Sequence, residues 1–173
     1  MELFAELLKY TLPSLLVLIA SYLTLKSMLN NEERKRKIEK ARENQQLLNP
    51  LRLQAYERIT LLLERISPEA LIFRLSLNGM TVIQLHTELL SAIRAEFEHN
   101  LTQQIYVSDT VWEHVKQSRN QIIQLINLSV ENIDPQAPSI VLSKRILENS
   151  AQRGKSTQQF ALEELKKEVR ALF

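Results

Sequence analysis

From Tyr10 to Leu25 the chain carries no charged residue. With the flanks Leu7–Lys9 and Lys26–Leu29 the apolar stretch reaches about 20 residues, the length needed to cross a hydrocarbon core about 30 Å thick. Leu15–Ala20 and Leu23–Leu25 leave no polar face, which predicts a transmembrane anchor over 1–29 rather than an amphipathic helix. Pro13 falls in the first turns, Tyr10 and Tyr22 are placed to meet the two interfaces, and Lys26 can snorkel to the head groups. A cleaved signal peptide fits poorly, because Glu2 and Glu6 occupy its basic region and no small-x-small site precedes the next charges. In Asn30–Gln46 acidic and basic residues interleave; Glu32–Arg36 and Glu33–Lys37 attract at i, i+4, Glu39–Glu43 does not, and Ile38 is the only large aliphatic. This predicts a solvated helical stalk over 30–49, continuing the membrane helix.

Asn49–Pro50 predicts the boundary of a helical domain over 50–173, since proline disfavours helix before itself and opens a new one. Leu51, Ala55, Tyr56, Ile59, Leu62, Leu63 and Ile66 then recur at helical spacing. Ser67–Pro68 caps a short helix to Leu75, stopped by Asn78–Gly79. Thr81 with Gln84 forms a capping box for a long helix, Val82–Val107, carrying Val82, Ile83, Leu85, Leu89, Leu90, Ile93, Phe97, Leu101 and Ile105. Thr110 with Glu113 predicts the next start, running to about Asn132; its apolar set includes Val111, Trp112, Val115, Ile122, Leu125 and Ile126. Beyond the rigid loop Asp134–Pro138 come helices over 139–152 and 156–172, the last with Phe160, Leu162, Leu165, Val169 and Leu172 on one side. The fold class is all-α: a transmembrane helix, a charged helical stalk and a compact bundle of about five amphipathic helices.

Composition sharpens this. Two glycines in 173 residues leave no material for Gly-rich phosphate loops, and the absence of cysteine removes disulfides, thiol nucleophiles and Cys-based zinc sites. The net charge of +2 resides in residues 1–49, which hold 8 basic and 6 acidic side chains and leave 14 of each in the remainder. A neutral folded domain argues against nucleic acid as a partner. Lys26 and the basic cluster Arg34, Lys35, Arg36, Lys37, Lys40 and Arg42 follow the apolar stretch, and Lys9 alone precedes it. The expected location is therefore the cell inner membrane, single-pass, with the N-terminus outside and the C-terminal domain cytoplasmic, the cluster touching anionic lipid.

No combination of residues predicts catalysis or a cofactor. Glu96-Phe-Glu-His99 contains one Glu-x-x-His step, whereas diiron sites need two such steps and further carboxylates. A metal-dependent or hydrolytic enzyme using Glu96 and His99, with His86 or His114, is the alternative to a non-enzymatic module. Arg153-Gly-Lys-Ser156 lacks the upstream glycine and strand of a phosphate loop; Gly154 fits a helix end and Ser156 with Gln159 a capping box. The sequons at Asn100 and Asn127 lie within helices on the cytoplasmic side and are expected to be unmodified. The seam 83, 86, 90, 93, 97, 100, 104 and 107 places His86, Asn100 and Gln104 inward, which predicts a polar core network or a partner-binding groove. Its members would be His86, Arg94, Glu96, His99, Asn100, Gln103, Gln104, Tyr106 and Trp112.

The order of an N-terminal span, a charged segment, Leu51-Arg-Leu-Gln-Ala-Tyr-Glu-Arg58 and then Arg94-Ala-Glu-Phe-Glu-His-Asn-Leu-Thr-Gln-Gln-Ile-Tyr-Val107 resembles an uncharacterised family of single-pass membrane proteins from Bacteroidetes. The resemblance covers nearly the whole chain. It implies a bacterial inner membrane as the setting and supplies no activity. The expected function is a membrane-tethered adaptor, scaffold or subunit of an envelope complex, with membrane lipid and a protein as partners.

Overall fold

The computed structural model describes residues 2–152 and 157–172, with side chains from Leu15 onward except Ala41. The protein is all-α. Its helices are α1 (Glu2–Arg65), α2 (Pro68–Leu75), α3 (Val82–His99), a 3₁₀ helix (Leu101–Tyr106), α4 (Asp109–Val130), α5 (Ser139–Gln152) and α6 (Thr157–Leu172). The chain divides into two units, Met1–Asn49 and Pro50–Phe173.

The first unit is helical, and its described side chains are exposed as far as Leu48, with Asn49 half-buried. Thr24 Oγ1 donates to the carbonyls of Ala20 and Ser21, both at 2.9 Å, and Lys26 Nζ stands 5.8 Å from the Tyr22 ring centroid. Arg36 pairs with Glu32 at 3.9 Å, the i, i+4 contact expected of the charged segment. Among the described residues no helix is long and apolar enough to cross a membrane. The first five residues of the expected span Tyr10–Leu25 have side chains outside the described set.

The new helix expected at Pro50 is corrected, because α1 runs through this position. Proline lacks an N–H, which leaves the Gln46 carbonyl without its helical donor, but Gln46 and Pro50 are both exposed and water can serve that carbonyl.

In the second unit each amphipathic stripe reaches one core. Residues 55–65 of α1 bring Ile59, Leu62 and Leu63 and the turn after it Ile66, α3 brings Leu85, Leu89 and Ile93, α4 Val115 and Ile126, α5 Leu142 and Ile146, and α6 Ala161 and Leu165. Helices α3, α4 and α5 pack on one another, α6 lies against α4, and α2 against α3 and α5. Ser67 caps α2 by accepting from the Ala70 N–H at 3.2 Å, with Pro68 in the first turn as expected. Gly79, at φ +86°, makes the reversal before α3.

The four N–H groups opening α3 are all satisfied. Val82 donates to the Ala137 carbonyl at 2.9 Å and Ile83 to the Pro135 carbonyl at 3.1 Å; Gln84 donates to Thr81 Oγ1 at 3.4 Å and Leu85 to the Thr81 carbonyl at 3.1 Å. The Asp134–Pro138 loop thus acts as a cap for a helix fifty residues earlier, and a β-bridge joins Thr81 to Pro138. Gln84 completes the capping box by accepting from the Thr81 N–H at 3.0 Å.

Two expected boundaries move. The α-helix from Val82 ends at His99 rather than Val107, and α4 is capped by Ser108, which accepts from the Val111 N–H at 3.3 Å, rather than by Thr110 with Glu113. Ile83, Leu101, Ile105, Leu51, Phe160 and Leu172, expected inward, are exposed. The Arg153–Ser156 readings lie outside the described residues, as does the first residue of the capping box Ser156–Gln159.

Candidate functional site

The buried row on α3 is Val82, Leu85, Leu89, Ile93 and Phe97, continued by Asn100, Gln103 and Val107. The expected seam agrees with it at 93, 97, 100 and 107. Positions 86 and 90 are only half-buried; the seam misses at 83, because the bond from the Val82 N–H to Ala137 fixes the first turn, and at 104, because a 3₁₀ helix turns about 120° per residue and brings 103 inward instead.

The polar residues of the seam do not form a network across the core. Asn100, 4% exposed, ends α3: its Nδ2 donates to the Glu96 carbonyl at 2.8 Å, its N–H to the Phe97 carbonyl at 3.1 Å, and its own carbonyl accepts from the Gln103 N–H at 3.0 Å. Buried Gln103 donates through Nε2 to Thr102 Oγ1 at 3.3 Å, while Gln104 is exposed. His86 is half-buried, with Nε2 2.9 Å from Asn127 Oδ1 on α4. Glu96 pairs with Arg65 Nε at 3.3 Å, and His99 and Arg94 are exposed. Trp112 is core, its ring 5.4 Å from that of Phe97 at an interplanar angle of 28°, and the Arg119 guanidinium lies 4.1 Å from the Phe97 centroid. Glu96, His99, His86 and His114 are not brought to one point; among the described residues no group of three or more His, Asp or Glu stands where it could hold a metal ion.

A convergent polar cluster does form at the far end of the 3₁₀ helix, around Glu168 of α6. Its Oε1 accepts from the Tyr56 hydroxyl at 2.9 Å, from the Ser108 N–H at 3.1 Å and from Arg52 Nη2 at 3.5 Å, while the Ser108 hydroxyl donates to Oε2. Arg52 Nε also donates to the Tyr106 carbonyl at 3.2 Å. One carboxylate therefore ties α1, the start of α4 and α6 together, Arg52 adds the end of the 3₁₀ helix, and the position of the carboxylate at the N-terminus of α4 is the favourable one for an anion. Burial, and then the bond to Glu168, push the Tyr56 phenol up to about 12. With its oxygens occupied by donors, Glu168 serves as a clamp.

Of this cluster the sequence reading singled out Tyr106 alone. Arg52, Tyr56, Ser108 and Glu168 were missed, although Glu168 falls on the stripe of Ala161, Leu165 and Leu172, and a carboxylate on a core stripe must find donors. Arg52 and Tyr56 belong to one quoted segment and Tyr106 to the other, so the two sequence features meet here.

A second concave feature, of about 610 Å³, opens between the end of α1, α4 and the facing ends of α5 and α6; its wall includes Glu64, Glu69, Gln121, Gln158 and Ser118. Ser118 Oγ is buried and has no hydrogen-bond partner among the described residues.

The fold and site define an all-helical protein whose convergent polar groups hold helices together. The chain belongs to the family of unknown function DUF7935, whose profile matches residues 2–172. No curated protein and no solved structure matches it.

Proposed function

We propose that this protein is a membrane-tethered helical interaction module, an adaptor, scaffold or subunit of an envelope complex in a bacterial inner membrane. The observation that carries the reading is the surface of α1 from Leu15 to Ile19. Five successive large apolar side chains are each 45–67% exposed there, and at about 100° per residue they cover the whole circumference of the helix. Transfer of each such side chain out of water is worth about 1.5–3 kcal/mol, and lipid covers all sides of a helix at once. Tyr22, Leu23, Leu25, Met28 and Leu29 extend the exposed surface. The basic residues Arg34 to Arg42 beyond it support a cytoplasmic second unit, and the exposed apolar side chains of that unit support a protein partner.

Two measurements test this. The full chain is expected to stay with membranes through alkaline carbonate washing and to leave them in detergent. A reporter fused after Phe173 is expected to give a cytoplasmic signal. Release by carbonate removes the tether, and a periplasmic signal reverses the orientation.

A further inference from the structure

Apolar side chains are exposed at several places on the second unit, two faces among them. Around α2 and α5, Phe73 is 93% exposed and Leu77 and Ile140 are open as well, but Lys144 and Glu148 already pair with each other there and nothing indicates what covers the patch. The other face is the groove between residues 50–65 of α1 and α6. Arg52 meets Glu168 while Gln158 Nε2 reaches the Leu63 carbonyl at 2.8 Å, so the two helices run antiparallel. The groove encloses about 520 Å³; Leu165 and Val169 lie along its α6 side and Leu61, 59% exposed, along its α1 side. Glu57 lines it from α1, and Lys166 and Arg170 line it from α6. None of these three charges has an ion-pair partner among the described residues.

We propose that this groove is the dimer interface of the protein and that its occupant is a second copy of the same chain. A two-fold axis sets α1 of one copy against α6 of the other. Each Glu57 then faces Lys166 and Arg170 of its partner, twice over, and each Leu61 reaches the Leu165–Val169 floor. The face is complementary to itself: one rim is acidic, the other basic, and the floor between them is apolar. This deepens the interaction-module reading by naming the partner, and tethering to one membrane raises the concentration at which copies meet.

The test uses the full chain in detergent micelles, with the protein mass followed by sedimentation and light scattering over a range of concentration. A dimer is expected. Glu57→Lys, at an exposed and unpaired position, should weaken it by about tenfold or more, because like charges then face each other across the rim. Adding Lys166→Glu and Arg170→Glu to that variant should restore it. Circular dichroism confirms that both variants keep the helical fold. A monomer at every concentration overturns the proposal. So does a dimer indifferent to Glu57→Lys, which places the contact elsewhere, or a folded triple variant that fails to recover. Carbonate extraction of the same variants reads the tether separately, so loss of the dimer with retention in the membrane counts against this interface alone.

Discussion

Asn100 shows how one side chain ends a helix. The apolar positions Ile93 and Phe97 are followed at the same spacing by Leu101 and Ile105, so the pattern alone continues the helix, yet both of the latter are exposed. What stops it is an amide that turns back on its own last turn, with Nδ2 on the Glu96 carbonyl. Periodicity carries no trace of that choice, which is why the end of α3 was not legible in the sequence although Asn100 itself was identified as an inward polar residue. Asn100→Leu leaves the Glu96 carbonyl in a buried site without its donor and is expected to lower stability by about 1–2 kcal/mol. Thermal or urea unfolding of the full chain measures this. A change below about 0.5 kcal/mol, the size usual for surface substitutions, would show that the side chain is no cap.

Between elements, the Glu168 clamp decides how α6 sits. Its four donor groups come from three residues, Arg52, Tyr56 and the N–H and hydroxyl of Ser108, with Arg52 also holding the Tyr106 carbonyl. Glu168→Ala strands a buried hydroxyl and an N–H at a helix start together and should cost about 2–3 kcal/mol. Tyr56 adds a pH signature. Its folded-state pKa of about 12 lies above the value near 10 of an unfolded tyrosine, so the folded protein holds the phenolic proton more tightly. The stability this confers is fully present below pH 10 and is lost as pH rises through about 12. Unfolding followed from pH 9 to 12 should show this decline in the parent protein and a shallower one in Tyr56→Phe; equal slopes would detach the phenol from the clamp. Helix existence was legible because the stripes of α2, α4, α5 and α6 are strongly periodic and Ser67, Pro68 and Thr81 carry local capping chemistry. The clamp was not, because its partners are as much as 116 residues apart. For the same reason Ser108, which is held by Glu168, could not be preferred as the α4 cap over Thr110 with Glu113 on local grounds.

At the scale of the whole molecule, the core sets the expectation of which part of the chain folds by itself. Every buried apolar residue from Ala55 to Leu165 belongs to the second unit, whereas the described side chains of residues 15–48 are all exposed. A helix without tertiary packing depends on its solvent and its own side-chain pairs, and pairs such as Glu32–Arg36, both partners exposed, contribute a few tenths of a kcal/mol at most. The break at Pro50, read from the sequence as the start of a helix, thus marks a change of environment within one: beyond it a stripe meets a core, before it no described side chain does. Residues 50–173 expressed alone should therefore remain strongly helical by circular dichroism, unfold cooperatively within a few degrees of the full chain, and no longer sediment with membranes. Loss of cooperative unfolding would mean that residues 1–49 contribute to the core after all. Continued sedimentation would move the membrane contact from the exposed leucines of α1 to the second unit, where the apolar patch around Phe73 is the surface to substitute next.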